Sequence, residues 1–79
     1  MKQKGRTKVR FGDEHEAIIR LRVENVDPDV YVVTSPDVPG LVAEGRSITE
    51  AATIARDLAR KIVESCLDHG DPLPRVFAK

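Results

Sequence analysis

One long amphipathic helix constrains the fold of this 79-residue sequence more than any other feature. It begins at a capping box, in which the Ser47 hydroxyl can accept a hydrogen bond from the Glu50 amide. Gly70 is a favourable residue just past a helix end, so the pattern predicts a helix from about Ile48 to about His69. Its apolar residues recur at steps of three and four and form one stripe: Ala51, Ile54, Ala55, Leu58, Ile62 and Cys66.

A single apolar stripe has to be buried against a second layer, and we expect Leu58 at the centre of that interface. Three predicted strands precede the helix and supply this layer. The first begins at Ala17, and its residues Ile19, Leu21 and Val23 alternate with charged ones, which is the pattern of a half-buried strand. Val30 to Thr34 predicts a second strand that forms a hairpin with the first, and Leu41 to Glu44 predicts a third.

The element order therefore predicts an α+β fold, a two-layer sandwich of type β-β-β-α-β. Arg75 to Phe77 is the expected last strand, which would return to the sheet beside the first by a right-handed crossover. The sheet would have three or four strands and would be covered by the one long helix.

The N-terminal residues carry positive charge but no periodic pattern. Residues 1–16 are therefore expected to form a flexible basic arm before a single domain at residues 17–79. An alternative is a short edge strand from Lys8 to Phe11. The first ten residues contain five basic residues and no acid, whereas the rest of the chain carries a net charge of minus five. The basic residues of the arm are Lys2, Lys4, Arg6, Lys8 and Arg10.

Few residues are arranged for catalysis or metal binding. His15 and His69 are far apart in the sequence, and neither has a cysteine or carboxylate at metal-ligand spacing. Cys66 lies on the apolar stripe, and no residue is placed to act as its base. We therefore expect a protein that is not an enzyme and that uses no cofactor and no metal. The single cysteine suits a reducing cytoplasm, and no apolar run approaches the roughly 18 residues of a membrane span.

Four motifs at matching spacing carry a resemblance to a known family. They are Tyr31 in the second strand, the turn Pro36-Asp37-Val38-Pro39-Gly40, Gly45 before the helix start Ser47-Ile48-Thr49-Glu50-Ala51, and the ending Gly70-Asp71-Pro72-Leu73-Pro74. Together they resemble the HicB-type antitoxin family over about Ala17 to Pro74. This resemblance implies a truncated ribonuclease-H-like sandwich that lacks the catalytic carboxylates of that fold.

The resemblance also implies partners. HicB-type proteins typically bind a small RNA-cleaving HicA-type toxin, mask its active histidine, and self-associate. The candidate partner-binding residues are Tyr31, Pro36, Asp37, Pro39 and Gly40. Judged by residue type alone, the segment from Pro36 to Gly40 is a turn that aims the third strand and sets the helix start. Many family members add a C-terminal DNA-binding domain. This sequence ends at Lys79, so we do not expect promoter binding by that route.

Two other functions stay open. One is a stand-alone homo-oligomeric module of unknown ligand, which would associate through the exposed edges of its sheet. The other is nucleic-acid binding through the basic arm, assisted by Arg20 and Arg22 on the polar strand face. A net charge of zero and only three aromatic residues weigh against the second function.

Overall fold

The computed structural model describes residues 2–12 and 14–77, which form one antiparallel sheet packed against one helix. The order of strands in the sheet follows the chain, so each strand pairs with its neighbours in sequence. The predicted α+β sandwich, with a four-stranded sheet and one long helix, is confirmed. Its elements are β1 (Lys2–Phe11), β2 (His15–Asp27), β3 (Val30–Thr34), β4 (Val42–Gly45), α1 (Ile48–His69) and a 3₁₀ turn (Arg75–Phe77).

The alternation in the first predicted strand places its apolar side chains under the helix. Ile19, Leu21 and Val23 are buried, whereas the residues between them are exposed. Val23 lies opposite Val33 of β3, which in turn lies opposite Ala43 of β4. This row of cross-strand neighbours is the inner surface on which α1 packs.

The prediction of a flexible arm at residues 1–16 is wrong for the residues that the structure describes. β1 is a ten-residue strand that pairs with β2 from Lys2 opposite Glu24 to Phe11 opposite His15. Val9 is fully buried and Phe11 is almost so, which makes the strand part of the hydrophobic core. The segments 1–16 and 17–79 therefore contribute to the same sheet, and the basic residues lie on a strand. Met1 and Asp13 lie outside the described residues.

The composition of β1 explains why its pattern is hidden. Its inner positions are Gln3, Gly5, Thr7, Val9 and Phe11, of which only the last two are strongly apolar. Apolar alternation is therefore visible in the sequence only from Val9 to Phe11. This range matches the alternative prediction of a short edge strand from Lys8 to Phe11. Pairing with β2 extends that strand back to Lys2.

The fourth strand comes from the N-terminus rather than from the C-terminus. Arg75–Phe77 forms a 3₁₀ turn, closed by a hydrogen bond of 2.9 Å from the Phe77 amide to the Pro74 carbonyl. Pro74 has no amide to donate, which disfavours a strand here. The turn returns to the sheet, where the Phe77 ring packs edge-on against Phe11 at 5.2 Å between centroids.

The predicted helix bounds are confirmed, because both end signals form. The Ser47 hydroxyl accepts from the Glu50 amide at 3.0 Å, and the Glu50 carboxylate accepts from the Arg46 amide at 3.2 Å. At the other end Gly70 takes φ 68°, and the Asp71 amide donates to the Cys66 carbonyl. The capping box and the left-handed glycine therefore satisfy backbone groups at both ends.

The centre of the helix–sheet interface is not Leu58. The fully buried positions of α1 are four residues apart: Ala51, Ala55, Ala59 and Val63. Leu58 is only half-buried and lies on the flank, together with Ile54 and Ile62. Small side chains let the helix approach the sheet closely. A Cβ atom placed on Gly45 would lie 2.6 Å from the Ala51 nitrogen, so that glycine is required by the approach.

Two carboxylate substitutions test which residues form this interface. Ala55→Asp is expected to abolish cooperative folding, because it buries a charge with no partner in a small domain. Leu58→Asp is expected to keep a cooperative thermal transition with a lowered Tm, because its carboxylate can reach water at the flank. Circular dichroism melts of both variants provide the measurement. An unfolded Leu58→Asp beside a folded Ala55→Asp would place Leu58 at the centre after all.

Candidate interaction surfaces

The loop between β3 and β4 is a firmly anchored turn. Val38 is fully buried and Leu41 nearly so, which ties the loop to the core. The Leu41 amide donates to the Val38 carbonyl at 3.2 Å, and Gly40 has φ 84°. Pro39 and Gly40 are therefore the central residues of a type II turn, as their order in the sequence predicts.

Asp37 in this loop closes an open part of the sheet edge. β2 extends beyond β3, so its residues before Arg22 have no partner strand on that side. The Asp37 carboxylate accepts from the Arg20 backbone amide at 2.8 Å and from its guanidinium at 2.7 Å. Its side chain is 15% exposed. The Asp37 side chain thus accepts a hydrogen bond from a strand amide that has no partner strand, and it forms an ion pair with the Arg20 guanidinium.

These contacts favour the ionised form of Asp37. Hydrogen bonds from the Arg20 guanidinium and then from its backbone amide lower the pKa of Asp37, although burial opposes the shift. The same hydrogen bond to Asp37 raises the pKa of Arg20. Asp37 is therefore first of all a structural residue that holds the loop against β2.

Two prolines of the β3–β4 loop, Pro36 and Pro39, meet Pro74 of the C-terminal segment beside this contact. They form a cleft of about 400 Å³ between the β3–β4 loop and the segment that leads into the 3₁₀ turn. We call this the proline cleft, and its lining residues are Pro36, Asp37, Pro39, Pro74, Arg75 and Val76. Sequence reasoning missed the last three, because nothing in the sequence pairs them with a loop almost forty residues away.

The structure thus brings together three of the five candidate partner-binding residues. Pro36, Asp37 and Pro39 line the proline cleft, and Gly40 is exposed in the turn beside it. Tyr31 lies at the other end of β3, where it is half-buried beside Ile48 of α1. Tyr31 is therefore separated from the other four by the length of a strand.

A second surface gathers the basic residues of β1. Lys4 lies opposite Arg22 and Arg6 lies opposite Arg20, on the sheet face that points away from α1. All four side chains are exposed. Lys8 and Arg10 follow along the same strand, and both contact the Glu16 carboxylate. Lys2 lies at the first position of β1, and the structure describes only its backbone.

The residues with reactive side chains have ordinary structural surroundings. Cys66 is half-buried on α1, the His69 Nδ1 lies 2.8 Å from the Ser65 carbonyl one turn earlier, and His15 stacks on Phe11. Within residues 2–12 and 14–77, no three His, Cys, Asp or Glu side chains converge as a metal site would need. Nor does any described helix combine the length and apolarity needed to cross a membrane.

Among the described residues, the structure therefore defines a small α+β protein whose main surface features are a proline cleft and a cation-rich sheet face. A family model described as the HicB-like antitoxin of bacterial toxin–antitoxin systems matches residues 19–78. The match covers most of the chain, which therefore belongs to the HicB-like antitoxin family, as the motifs in its sequence predict. Comparison with curated proteins and with solved structures gives no match. The matched segment begins inside β2 and leaves all of β1 outside it.

Removal of the Asp37 carboxylate tests its structural role. Asp37→Ala is expected to lower the free energy of unfolding by about 1–2 kcal/mol at pH 7, because the strand amide and the cation lose their acceptor. The folded pKa of Asp37 is lowered, so this contribution is complete above the unfolded pKa of about 3.9. It is lost as the pH falls through the folded pKa.

The measurement is urea unfolding of wild type and variant between pH 7 and pH 2. Their stabilities are expected to converge in acid. Glu64→Ala, which removes an exposed carboxylate from α1, is the control and should lower the free energy of unfolding at pH 7 by less than Asp37→Ala does. A constant difference between wild type and Asp37→Ala at all pH values would contradict the assigned ion pair.

Proposed function

We propose that this chain is a non-catalytic antitoxin that neutralises a small RNA-cleaving toxin of the HicA type by protein–protein contact. The proposal rests on the family match over residues 19–78, because this match shows that the chain belongs to a toxin–antitoxin family. A toxin that cleaves cellular RNA acts in the cytoplasm, and we assign the antitoxin to the same compartment. The antitoxin itself would leave RNA intact.

We assign the toxin contact to the proline cleft. Its rim residues Pro36 and Pro39 are exposed, while Val38 between them is buried and fixes the loop. A surface that is already rigid loses little conformational entropy on binding, which favours affinity. Prolines and the half-buried Val76 also give the cleft apolar area that a partner can cover. Tyr31 lies outside the cleft and stays a prediction for a separate contact.

The net charge of the chain outside its first ten residues favours a basic partner, although the lining of the cleft itself contains one acid, Asp37, and one cation, Arg75. Residues 11–79, which include the cleft, carry a net charge of minus five, and the excess of positive charge is confined to the first ten residues. Association of oppositely charged surfaces is faster and more selective than that of neutral ones.

Two matched arginine substitutions test both the function and the surface. Pro39→Arg places a cation at the rim of the cleft, and Pro28→Arg makes the same change in the exposed β2–β3 turn. Wild type and Pro28→Arg are expected to inhibit RNA cleavage by a purified HicA-type toxin at a ratio near one to one. Pro39→Arg is expected to inhibit at least about tenfold more weakly, because like charges would face each other.

The two parts of the proposal fail in different ways. Full RNA cleavage in the presence of excess wild-type protein would contradict the antitoxin function. Equal inhibition by the two variants would leave the function standing and would move the contact away from the proline cleft. RNA cleavage by the chain alone would contradict the non-catalytic role.

We further propose that the chain forms a homo-oligomer through the free edge of β4. Among the described residues β4 pairs only with β3, and its Val42 side chain is 62% exposed. Edge strands with exposed apolar residues readily pair with a second copy.

Sedimentation velocity over a range of protein concentrations tests this association. Wild type is expected to sediment as a dimer, and Val42→Lys as a monomer, because a lysine on an edge strand opposes pairing. Val26→Lys, at an exposed valine near the end of β2, is the matched control and should stay dimeric. A monomeric wild type would contradict self-association, and a dimeric Val42→Lys would contradict the edge.

A further inference from the structure

Four cations meet on the sheet face that points away from the helix. Antiparallel pairing places Lys4 directly opposite Arg22 and Arg6 directly opposite Arg20. We call these residues the sheet quartet. A depression of about 250 Å³ lies among them, and its remaining lining comes from Gly5, Leu21 and Pro36. Among the described residues, only cations and apolar or backbone groups therefore line this depression.

The sheet quartet is unfavourable for the fold. Directly opposite side chains in an antiparallel pair lie about 5 Å apart at Cβ, and like charges in such positions repel each other. Among the residues that the structure describes, only Arg20 of this quartet has an acidic partner, Asp37. Two adjacent like-charge pairs with one compensating acid favour the binding of an anion.

A second group of four cations continues the charge around the edge of the sheet. Lys8 and Arg10 of β1 line a cleft of about 400 Å³ with Arg56 and Arg60 of α1. We call these residues the edge quartet. Of the residues that the structure describes, Asp57 is the only acidic one in the lining of this cleft, and Glu16 contacts the two cations of β1. The two quartets together form a cationic band that follows β1.

Protection of a free sheet edge explains only part of this band. Charged residues on an edge strand discourage pairing with other chains, and β1 is an edge strand. Arg20 and Arg22, however, lie on the inner strand β2, and Arg56 and Arg60 lie on the helix. These four arginines do not protect an edge. The band also depends on β1, which lies outside the residues that the antitoxin family model matches.

We infer that the cationic band binds the phosphate backbone of a nucleic-acid duplex. Most of its cations are arginines, whose planar guanidinium groups pair with phosphates in two-point contacts. From Lys4 to Arg10 the band extends for about 20 Å at the usual rise of about 3.3 Å per residue, which suits an elongated polyanion. This site adjoins the proline cleft, with which it shares Pro36, and it does not depend on the proposed antitoxin function.

The aromatic residues decide between a duplex and a single strand. Single-stranded nucleic acid is held by bases that stack on exposed aromatic rings. Here Phe11 and Phe77 are buried under the sheet, and Tyr31 is half-buried at its inner face. Contacts to phosphates alone, without stacking, suit a helix whose bases are already stacked. Such binding is independent of base sequence and depends steeply on salt.

Fluorescence anisotropy with labelled 20-base-pair RNA and DNA duplexes tests this inference. The double variant Arg6→Glu, Arg22→Glu removes two phosphate contacts and replaces the repulsive pairs by attractive ones, so its Tm is expected to equal or exceed that of wild type. Its affinity is expected to fall at least about tenfold, and the slope of log affinity against log salt to decrease by about two. The double variant Arg46→Glu, Lys61→Glu is the matched control, because it makes the same change in net charge at two exposed positions that line neither cleft.

The result expected for wild type is saturable binding of both duplexes at 50 mM salt, with weaker binding to the single strands. The control double variant is expected to lose much less affinity than Arg6→Glu, Arg22→Glu. Absence of duplex binding would overturn the inference, and so would equal losses in the two double variants. Tighter binding to anionic phospholipid vesicles or to poly-glutamate than to the duplexes would assign the band to another class of partner. Stronger binding to DNA or to RNA would identify which duplex it prefers.

Discussion

The pairing of β1 with β2 is the interaction on which the rest of the structure depends. It buries Val9 and Phe11 beneath the helix, and Phe11 in turn holds the C-terminal turn through Phe77. A domain of this size buries only about 60–65% of its unfolded surface, so a ten-residue strand is a large part of its stability. The same pairing turns the outward-pointing residues of β1 into a continuous cationic surface.

Close approach of the helix to the sheet is the second constraint. The fully buried residues Ala51, Ala55 and Ala59 allow this approach because their side chains are small. Gly45 at the end of β4 leaves space for the first turn of α1, because it has no Cβ atom. Because α1 lies close to the sheet, larger apolar residues such as Leu58 lie on the flank of the helix rather than between the two layers. The β3–β4 loop then completes the edge of β2 through the contact of Asp37 with Arg20. Packing thus fixes the loop that forms one side of the proline cleft.

Sequence reasoning predicts the elements with strong local signals. The capping box at Ser47 and the glycine at position 70 determine both helix ends, and alternation around Leu21 determines β2. The full length of β1 is not predicted, because Gly5 and Thr7 occupy inner positions and leave no apolar alternation in the sequence. The strand is recognised only from its pairing with β2. The buried alanines of α1 are not predicted as the centre of the interface, because hydrophobicity alone favours Leu58 there. The short distance between helix and sheet favours alanine instead. The proline cleft and the cationic band are not predicted, because each consists of residues that are far apart in the sequence.

This small chain of an antitoxin family has two proposed binding surfaces: the proline cleft for a protein partner and the cationic band for a nucleic-acid duplex. Both assignments depend on β1 being a strand, because a flexible arm would disperse the charges and remove Phe11 from the core. Amide hydrogen exchange measured by NMR tests this point most directly. Residues 3–11 are expected to show protected amides at every second position, since alternate amides of an edge strand point toward β2. Uniformly fast exchange along this segment, with protection retained in β2 and α1, would contradict the account.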